Sequence, residues 1–127
     1  MNELQFYEFS RTNPDLRIER NADGEVIVMP PASTDTGNRN GRISGQLFIW
    51  AEKDSTGEAF DSSTGYKLPN GAILSPDASW MSLDRWNSLS SAQKSSFAPI
   101  VPDFVVELRS ASDTLKSLQD KMQQYID

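Results

Sequence analysis

The most constraining part of the sequence lies near its C-terminal end, where an apolar run is followed by a helical pattern. The run begins just after Pro102, which a buried strand tolerates at its first position, and reads Phe104-Val105-Val106-Glu107-Leu108. Ser112-Asp113 then opens a predicted helix, whose apolar stripe consists of Leu115, Leu118, Met122 and Tyr125. A buried strand followed by an amphipathic helix is the first part of a β-α-β crossover, which indicates an α/β fold.

The helical pattern is still running at Tyr125-Ile126-Asp127, without a glycine or asparagine stop signal. In a crossover of this kind, the helix normally leads to a second, parallel strand. We therefore expect residues 1–127 to be a single domain that is cut at its C-terminus and lacks its last strand. Either the chain is part of a longer protein, or a partner covers the open strand edge.

The upstream sequence predicts a β-hairpin, a long helix and several short elements. The hairpin covers residues 17–29, because Asp23-Gly24 supplies the left-handed turn that hairpins favour. An amphipathic helix is predicted beyond Gly41 and ends near Asp54. Strands are predicted at residues 58–61, 66–68 and 74–81, and one or two short helices at 82–96. Residues 1–15 are a possible leader segment.

The chain contains neither histidine nor cysteine, which excludes several kinds of active site. A Ser-His-Asp triad, an imidazole zinc site and a thiolate metal site each need one of these residues. The 18 acidic and 12 basic residues give a net charge of −6, which argues against avid non-specific binding of nucleic acid. A nuclease stays compatible with this charge, because a bound divalent cation reverses the sign at a carboxylate cluster. No apolar run reaches the roughly 20 residues of a membrane helix, so cytoplasm is the default location.

Glu107 is the most informative single residue, because it interrupts the apolar run of a predicted buried strand. Burying a carboxylate costs several kcal/mol unless the group is paired or binds a metal. Strand alternation puts Glu107 on the same face as Val105 and Arg109. A structural ion pair with Arg109 or another base and a catalytic carboxylate are both consistent with this position.

Asp77 and Lys121 are the other candidates for a site with Glu107. Asp77 follows Pro76 in the preceding strand candidate, and two inward carboxylates on neighbouring strands can share Mg²⁺ or Mn²⁺. Lys121 lies on or beside the inward stripe of the last helix, where its ammonium can stabilise charge on a phosphate. Ordinary turn chemistry for Asp77 and a solvated flank position for Lys121 are the alternatives.

Other polar residues have a structural explanation that is at least as good as a functional one. Ser110, Ser112 and Asp113 lie where the strand turns into the helix, and they can cap the helix or hold a phosphate. Arg39 and Arg42 flank the start of the long helix, where they can contact a polyanion or, as we expect, form part of a solvated face. Trp80 and Trp86 are expected in the core and on the surface respectively, rather than as stacking platforms.

The order of these pieces resembles a known family. The pieces are the hairpin with Arg17-x-Glu19 and Gly24-Glu25, the segment from Asp61 to Gly71, Ser75-Pro76-Asp77, the run from Val101 to Leu108, Ser110-x-Ser112-Asp113, and Lys121-x-x-x-Tyr125. From about residue 14 onwards, the chain resembles the restriction-endonuclease-type family of the PD-(D/E)XK nuclease superfamily that is expanded in cyanobacteria.

The resemblance implies a restriction-endonuclease-like α/β fold, with a mixed central sheet flanked by helices, and metal-dependent cleavage of DNA. It implies Asp77 and Glu107 as catalytic metal ligands for Mg²⁺ or Mn²⁺, and Lys121 as the catalytic lysine. Arg109 stands where the usual motif has its lysine, so the resemblance leaves the choice between Lys121 and Arg109 open. Ser110 and Asp113 are possible auxiliary residues.

Two other functions stay open from the sequence. The first is a nuclease-like module that binds or scaffolds without cleaving. The second is a glycoside hydrolase, in which Asp77 and Glu107 act as acid and base across an open groove. A homodimer is also possible, because an uncovered strand edge can pair with another copy.

Overall fold

The computed structural model describes residues 1–110 and 113–127 as an α/β structure with two antiparallel sheets and flanking helices. The fold class predicted from the sequence is therefore confirmed, and the strands divide into two sheets. The helices are α1 (Glu3–Thr12), α2 (Thr34–Asp54), α3 (Leu83–Asn87), α4 (Ser91–Lys94) and α5 (Leu115–Ile126). The strands are β1 (Arg17–Arg20), β2 (Val26–Met29), β3 (Gly57–Phe60), β4 (Tyr66–Lys67), β5 (Ile73–Leu74), β6 (Ala78–Ser82) and β7 (Phe104–Val106).

The first sheet has the strand order β2-β1-β5-β4 and contains the predicted hairpin. Arg17 pairs with Met29 and Arg20 with Val26 across the hairpin. Gly24 has a φ of 86°, which only glycine adopts at little cost, so the turn prediction is confirmed.

The second sheet has the order β3-β6-β7 and carries α2 on one side. Helix α2 begins at Thr34, well before the predicted start beyond Gly41, because the Ser33 side chain caps its first turn. Its predicted end at Asp54 is confirmed, and Ser55 terminates the helix in a left-handed conformation with a φ of 58°.

The strand predicted at residues 74–81 is wrong as a single element, since it is broken into β5 and β6. Pro76 lacks a backbone N–H and cannot continue a strand ladder, so the chain leaves one sheet and enters the other here. Asp77 consequently lies in the link between the sheets rather than within a strand.

Strand β7 is shorter and less buried than the sequence predicts, because it ends at Val106 and leaves 51% of Phe104 exposed. Glu107 and Arg109 lie beyond it, so strand alternation does not determine where they point. Helix α5 is capped by Thr114 rather than by Asp113. Ser112, the other predicted cap, lies outside the described residues.

Residues 1–15, the possible leader segment, contain helix α1. Phe6 of α1 is buried with Ile18 and Ile73 in a small core on the first sheet. A larger core is formed by the buried residues Tyr66, Leu68, Ala72, Leu74, Met81, Leu89, Ala98 and Tyr125. Helices α3 and α4 confirm the two short helices predicted for residues 82–96. None of the helices in the described parts of the chain has the length and apolarity needed to cross a membrane.

Candidate active site

Lys121 of α5 is held between two buried carboxylates. Its Nζ lies 2.8 Å from Oε2 of Glu19 and 2.9 Å from Oε1 of Glu107. The carboxylate side chains of Glu19 and Glu107 are 4% and 5% exposed, and the Lys121 side chain is 18% exposed. The ammonium group of Lys121 thus forms ion pairs with two carboxylates that have almost no contact with water.

Glu107 is further held by the phenol of Tyr125, one turn after Lys121 on α5. The Tyr125 hydroxyl donates a hydrogen bond of 2.9 Å to Oε1 of Glu107. Residues four apart lie on the same face of a helix, so Lys121 and Tyr125 reach the same carboxylate together. The predicted α5 stripe is thus correct at Tyr125, which is buried, and wrong at Leu115, which is 52% exposed.

Asp77 reaches the same cluster from the link between the sheets. Its Oδ2 accepts a 2.6 Å hydrogen bond from the backbone N–H of Leu108, the residue after Glu107. Its Oδ1 lies 3.4 Å from Nη2 of Arg17, and its backbone carbonyl accepts from the Ser44 hydroxyl of α2. The link therefore ties together β1, α2 and the segment that carries Glu107.

Glu19 is a buried member of the cluster to which the sequence assigned no role. It is 3% exposed, and its Oε2 accepts a 2.7 Å hydrogen bond from the backbone N–H of Ser75. The available signal was its place in the Arg17-x-Glu19 motif. Nothing in the local pattern shows that a hairpin acid is buried, because that depends on contacts with Ser75 and Lys121, both distant in sequence.

The charges in this cluster shift the pKa values of three groups. Burial raises the pKa of Glu107 to about 7, and the charges of Asp77 and Glu19 add to this, although Lys121 opposes it. Burial lowers the pKa of Lys121, but Glu19 and Glu107 outweigh burial and leave it raised, so the ammonium stays charged. Burial and the charge of Glu107 raise the pKa of Tyr125, which therefore stays a hydrogen-bond donor.

The remaining predicted site residues lie apart from this cluster or serve the backbone. Arg109 is exposed, and no described ion pair joins it to Glu107; the base that pairs with Glu107 is Lys121. The backbone N–H and the hydroxyl of Ser110 both donate to Oδ2 of Asp113, each at 3.0 Å. These two residues therefore stabilise the turn that leads from β7 towards α5.

The other singled-out residues have contacts away from the cluster. Arg39 pairs with Asp35 at 3.7 Å on the exposed face of α2. Trp80 is half-buried and packs edge-on against Trp50 with the ring centroids 5.6 Å apart. Trp86 is also half-buried and lies under the ammonium of Lys94.

The donor set of the cluster fits a hard divalent cation in charge and ligand type. Three carboxylates (Glu19, Asp77 and Glu107) face two basic groups (Lys121 and Arg17), which leaves one negative charge uncompensated. Mg²⁺ commonly binds through one or two carboxylates and keeps several waters. Within residues 1–110 and 113–127, no three acidic residues are arranged as a ready metal-binding group.

The cluster is closed by its own contacts and borders neither of the two cavities described. One cavity of about 310 Å³ is lined by α1, residues 63–65 and residues 95–97. The other, of about 500 Å³, lies between α2 and β3. Since Lys121 fills the space beside Glu107, and Asp77 is buried, the two acids do not face each other across an open groove, which disfavours the glycoside hydrolase.

Comparison with known proteins adds one finding. The family model described as Uma2, "Putative restriction endonuclease", matches residues 3–127. A search of curated proteins finds no match for the chain. The family match covers α1 as well as the cluster.

Proposed function

Since the chain belongs to the Uma2 (putative restriction endonuclease) family, we propose that it is a metal-dependent endonuclease that hydrolyses phosphodiester bonds in DNA. The observation that supports this most directly is the buried cluster of Asp77, Glu107 and Lys121. Its members come from the link between the sheets, the end of β7 and α5. Two acids with a neighbouring lysine are the groups that such a reaction requires.

Asp77 and Glu107 would hold the divalent cation, for which we propose Mg²⁺ or Mn²⁺. When bound, the cation supplies a water of lowered pKa and compensates charge on the phosphate. Burial of both carboxylates strengthens their interaction with a cation, because little water screens it.

Lys121 would stabilise the negative charge that develops on the phosphate oxygens. Its raised pKa keeps the side chain positively charged at neutral pH, and its 18% exposure leaves one side accessible. Tyr125 and Glu19 would hold Glu107 and Lys121 in position through the hydrogen bonds described above. Arg109 is not required in this proposal, because it is exposed and no described ion pair joins it to Glu107.

The test is Glu107→Gln, with binding of Mn²⁺ measured by isothermal titration calorimetry and DNA cleavage measured in parallel. We expect the variant to fold, to lose Mn²⁺ affinity, and to lose metal-dependent cleavage, because the amide keeps the shape of the side chain but not its charge. The exposed acid Glu58 on β3 provides the control Glu58→Gln, which removes the same charge away from the cluster. Equal Mn²⁺ affinity in Glu107→Gln and the unmodified protein would contradict the proposal.

A binding or scaffolding module without cleavage is the second candidate function. It is favoured by the closed state of the cluster, in which Lys121 and Tyr125 occupy both oxygens of Glu107. The same titration separates the two functions, since a module of this kind has no Mn²⁺ affinity at neutral pH. A homodimer and a cytoplasmic location stay predictions from the sequence.

A further inference from the structure

Arg17 lies beside the cluster and has no role in the mechanism above. Residues two apart on a strand point to the same face of the sheet, so Arg17 and Glu19 leave β1 in the same direction. Glu19 reaches Lys121, and Arg17 reaches Asp77. The hairpin thus contributes one acid and one base to the surroundings of the proposed cation site.

The contact between Arg17 and Asp77 is long for an ion pair. Nη2 of Arg17 lies 3.4 Å from Oδ1 of Asp77, whereas charge-assisted hydrogen bonds are typically about 2.7–2.9 Å. The same nitrogen donates to the backbone carbonyl of Ser75 at 3.2 Å. The Arg17 side chain is 35% exposed, so part of it is accessible to solvent.

One donor of Arg17 has no protein partner. Its Nε is buried and makes no hydrogen bond. A buried donor without a partner is unfavourable, and native structures usually supply such a group with a protein, water or ligand acceptor. The guanidinium presents its N–H groups in a planar fork that matches two oxygens of a phosphate.

Arg17 also occupies the carboxylate oxygen that a cation would need. Oδ2 of Asp77 already accepts a short hydrogen bond of 2.6 Å from Leu108, so Oδ1 is the oxygen with the weaker contact. A positive charge next to Oδ1 opposes the binding of a second positive charge there. A cation should therefore bind Asp77 more tightly when the Arg17 guanidinium has moved away from Oδ1.

We propose that Arg17 is a phosphate-binding residue of this site, held on Asp77 until the cation binds and then turned to a DNA phosphate. This inference rests on the function proposed above. A divalent cation changes the charge of the cluster from one negative to one positive, and a phosphodiester carries one negative charge. Arg17 thereby couples the arrival of the cation to the binding of the substrate backbone.

The experiment uses Arg17→Met, which keeps the apolar stem and removes the guanidinium. We expect Mn²⁺ to bind several-fold more tightly by calorimetry, because the competing charge on Asp77 is gone. We expect a short duplex DNA, titrated in the presence of Ca²⁺, to bind roughly tenfold more weakly, because one charge-assisted contact is lost. The slope of log affinity against log salt should fall by about 1.

Two further variants make the result specific to the guanidinium. Arg17→Lys keeps the charge and loses the planar fork, so Mn²⁺ affinity should stay close to that of the unmodified protein while DNA binding weakens. Arg20→Met is the matched control on the opposite face of β1, where Arg20 contacts the carbonyl of Gly71. It should leave both affinities within about twofold, and thermal unfolding checks that all variants fold.

The inference requires that Arg17→Met bind Mn²⁺ more tightly and DNA more weakly. If Arg17→Met weakens Mn²⁺ and DNA binding together, Arg17 merely positions Asp77, and the inference is overturned. Unchanged affinities in Arg17→Met overturn it as well. If the unmodified protein itself fails to bind Mn²⁺, the proposed function fails, and the inference that rests on it fails for that separate reason.

Discussion

Glu107 carries a buried carboxylate that neighbouring charges influence in opposite directions. Burial, the largest effect, and the charges of Asp77 and Glu19 favour the protonated form, whereas Lys121 stabilises the ionised form. The net result is a pKa of about 7, well above the usual value of 4.5. Glu107 therefore loses its proton near neutral pH, and the cluster carries one uncompensated negative charge once it has done so.

This pKa predicts how stability depends on pH. Between the unfolded pKa near 4.5 and the folded pKa near 7, the unfolded chain loses the Glu107 proton while the folded protein keeps it. The contribution of Glu107 is therefore fully present below pH 4.5 and is lost as pH rises through 7. The loss amounts to about 3 kcal/mol at most.

The measurement compares the free energy of unfolding of the protein and of Glu107→Gln in urea across this pH range. The glutamine does not titrate, so the difference between the two proteins isolates Glu107 from the other acids. We expect the protein to lose stability relative to Glu107→Gln as the pH rises. A difference that does not vary between pH 4 and pH 8 would show that Glu107 titrates normally.

The positions of Asp77, Glu107 and Lys121 in one cluster agree with their grouping from sequence motifs and resemblance. Glu19 and Arg17 were not grouped with them, because a hairpin residue gives no local indication of its distant partners. Arg109 was grouped with Glu107 on the assumption of continued strand alternation. That assumption fails because β7 ends at Val106.

At the level of elements, helix α2 carries an unusual number of glycines on its surface. A side chain added at Gly37, Gly41 or Gly45 would meet no atom within 4 Å. A glycine in a helix interior costs roughly 1 kcal/mol relative to alanine. The internal packing of the described chain therefore gives no reason for these three residues.

Gly41→Ala should stabilise the protein by about 1 kcal/mol, because it restricts the unfolded chain and adds no clash. Urea unfolding measures the change. Gly57→Ala in β3 is the opposing case, since its new carbon would collide with the Met81 carbonyl and the Trp80 ring. We expect it to cost about 1–3 kcal/mol. Destabilisation by Gly41→Ala would mean that α2 packs more closely than described.

The elements differ in how well the sequence predicts them. The hairpin depends on a local turn at Gly24, and the end of α2 on residues 55–57, so both are predictable from sequence. The break between β5 and β6 arises because neighbouring residues pair with different sheets, and the hydrophobic pattern of the sequence does not predict with which sheet a segment pairs. Helix α1 was missed because its single buried residue, Phe6, gives a weak apolar pattern.

At the scale of the whole molecule, the uncompensated negative charge of the cluster is part of an overall charge of −6. Cation binding should therefore stabilise the folded state, because the unfolded chain has no assembled cluster. At a free Mn²⁺ concentration a hundred times the dissociation constant, we expect a gain of about 2.7 kcal/mol.

Chemical denaturation with and without Mn²⁺ measures this gain, and addition of a chelator should reverse it. Glu107→Gln should show little gain at the same concentration. Should both proteins be stabilised equally, the cation binds to other surface carboxylates rather than to the cluster.

The Ser75–Asp77 link joins the two sheets, and Ser75 and Asp77 also contact Glu19, Arg17, Ser44 and Leu108. Any movement of one sheet relative to the other therefore also moves residues 75–77. Small rearrangements in either sheet would thus displace Asp77, which the proposed cation site requires in an accurate position. For the proposed endonuclease we therefore expect turnover to depend on the rigidity between the sheets, and substitutions between them should alter it without changing a charged group.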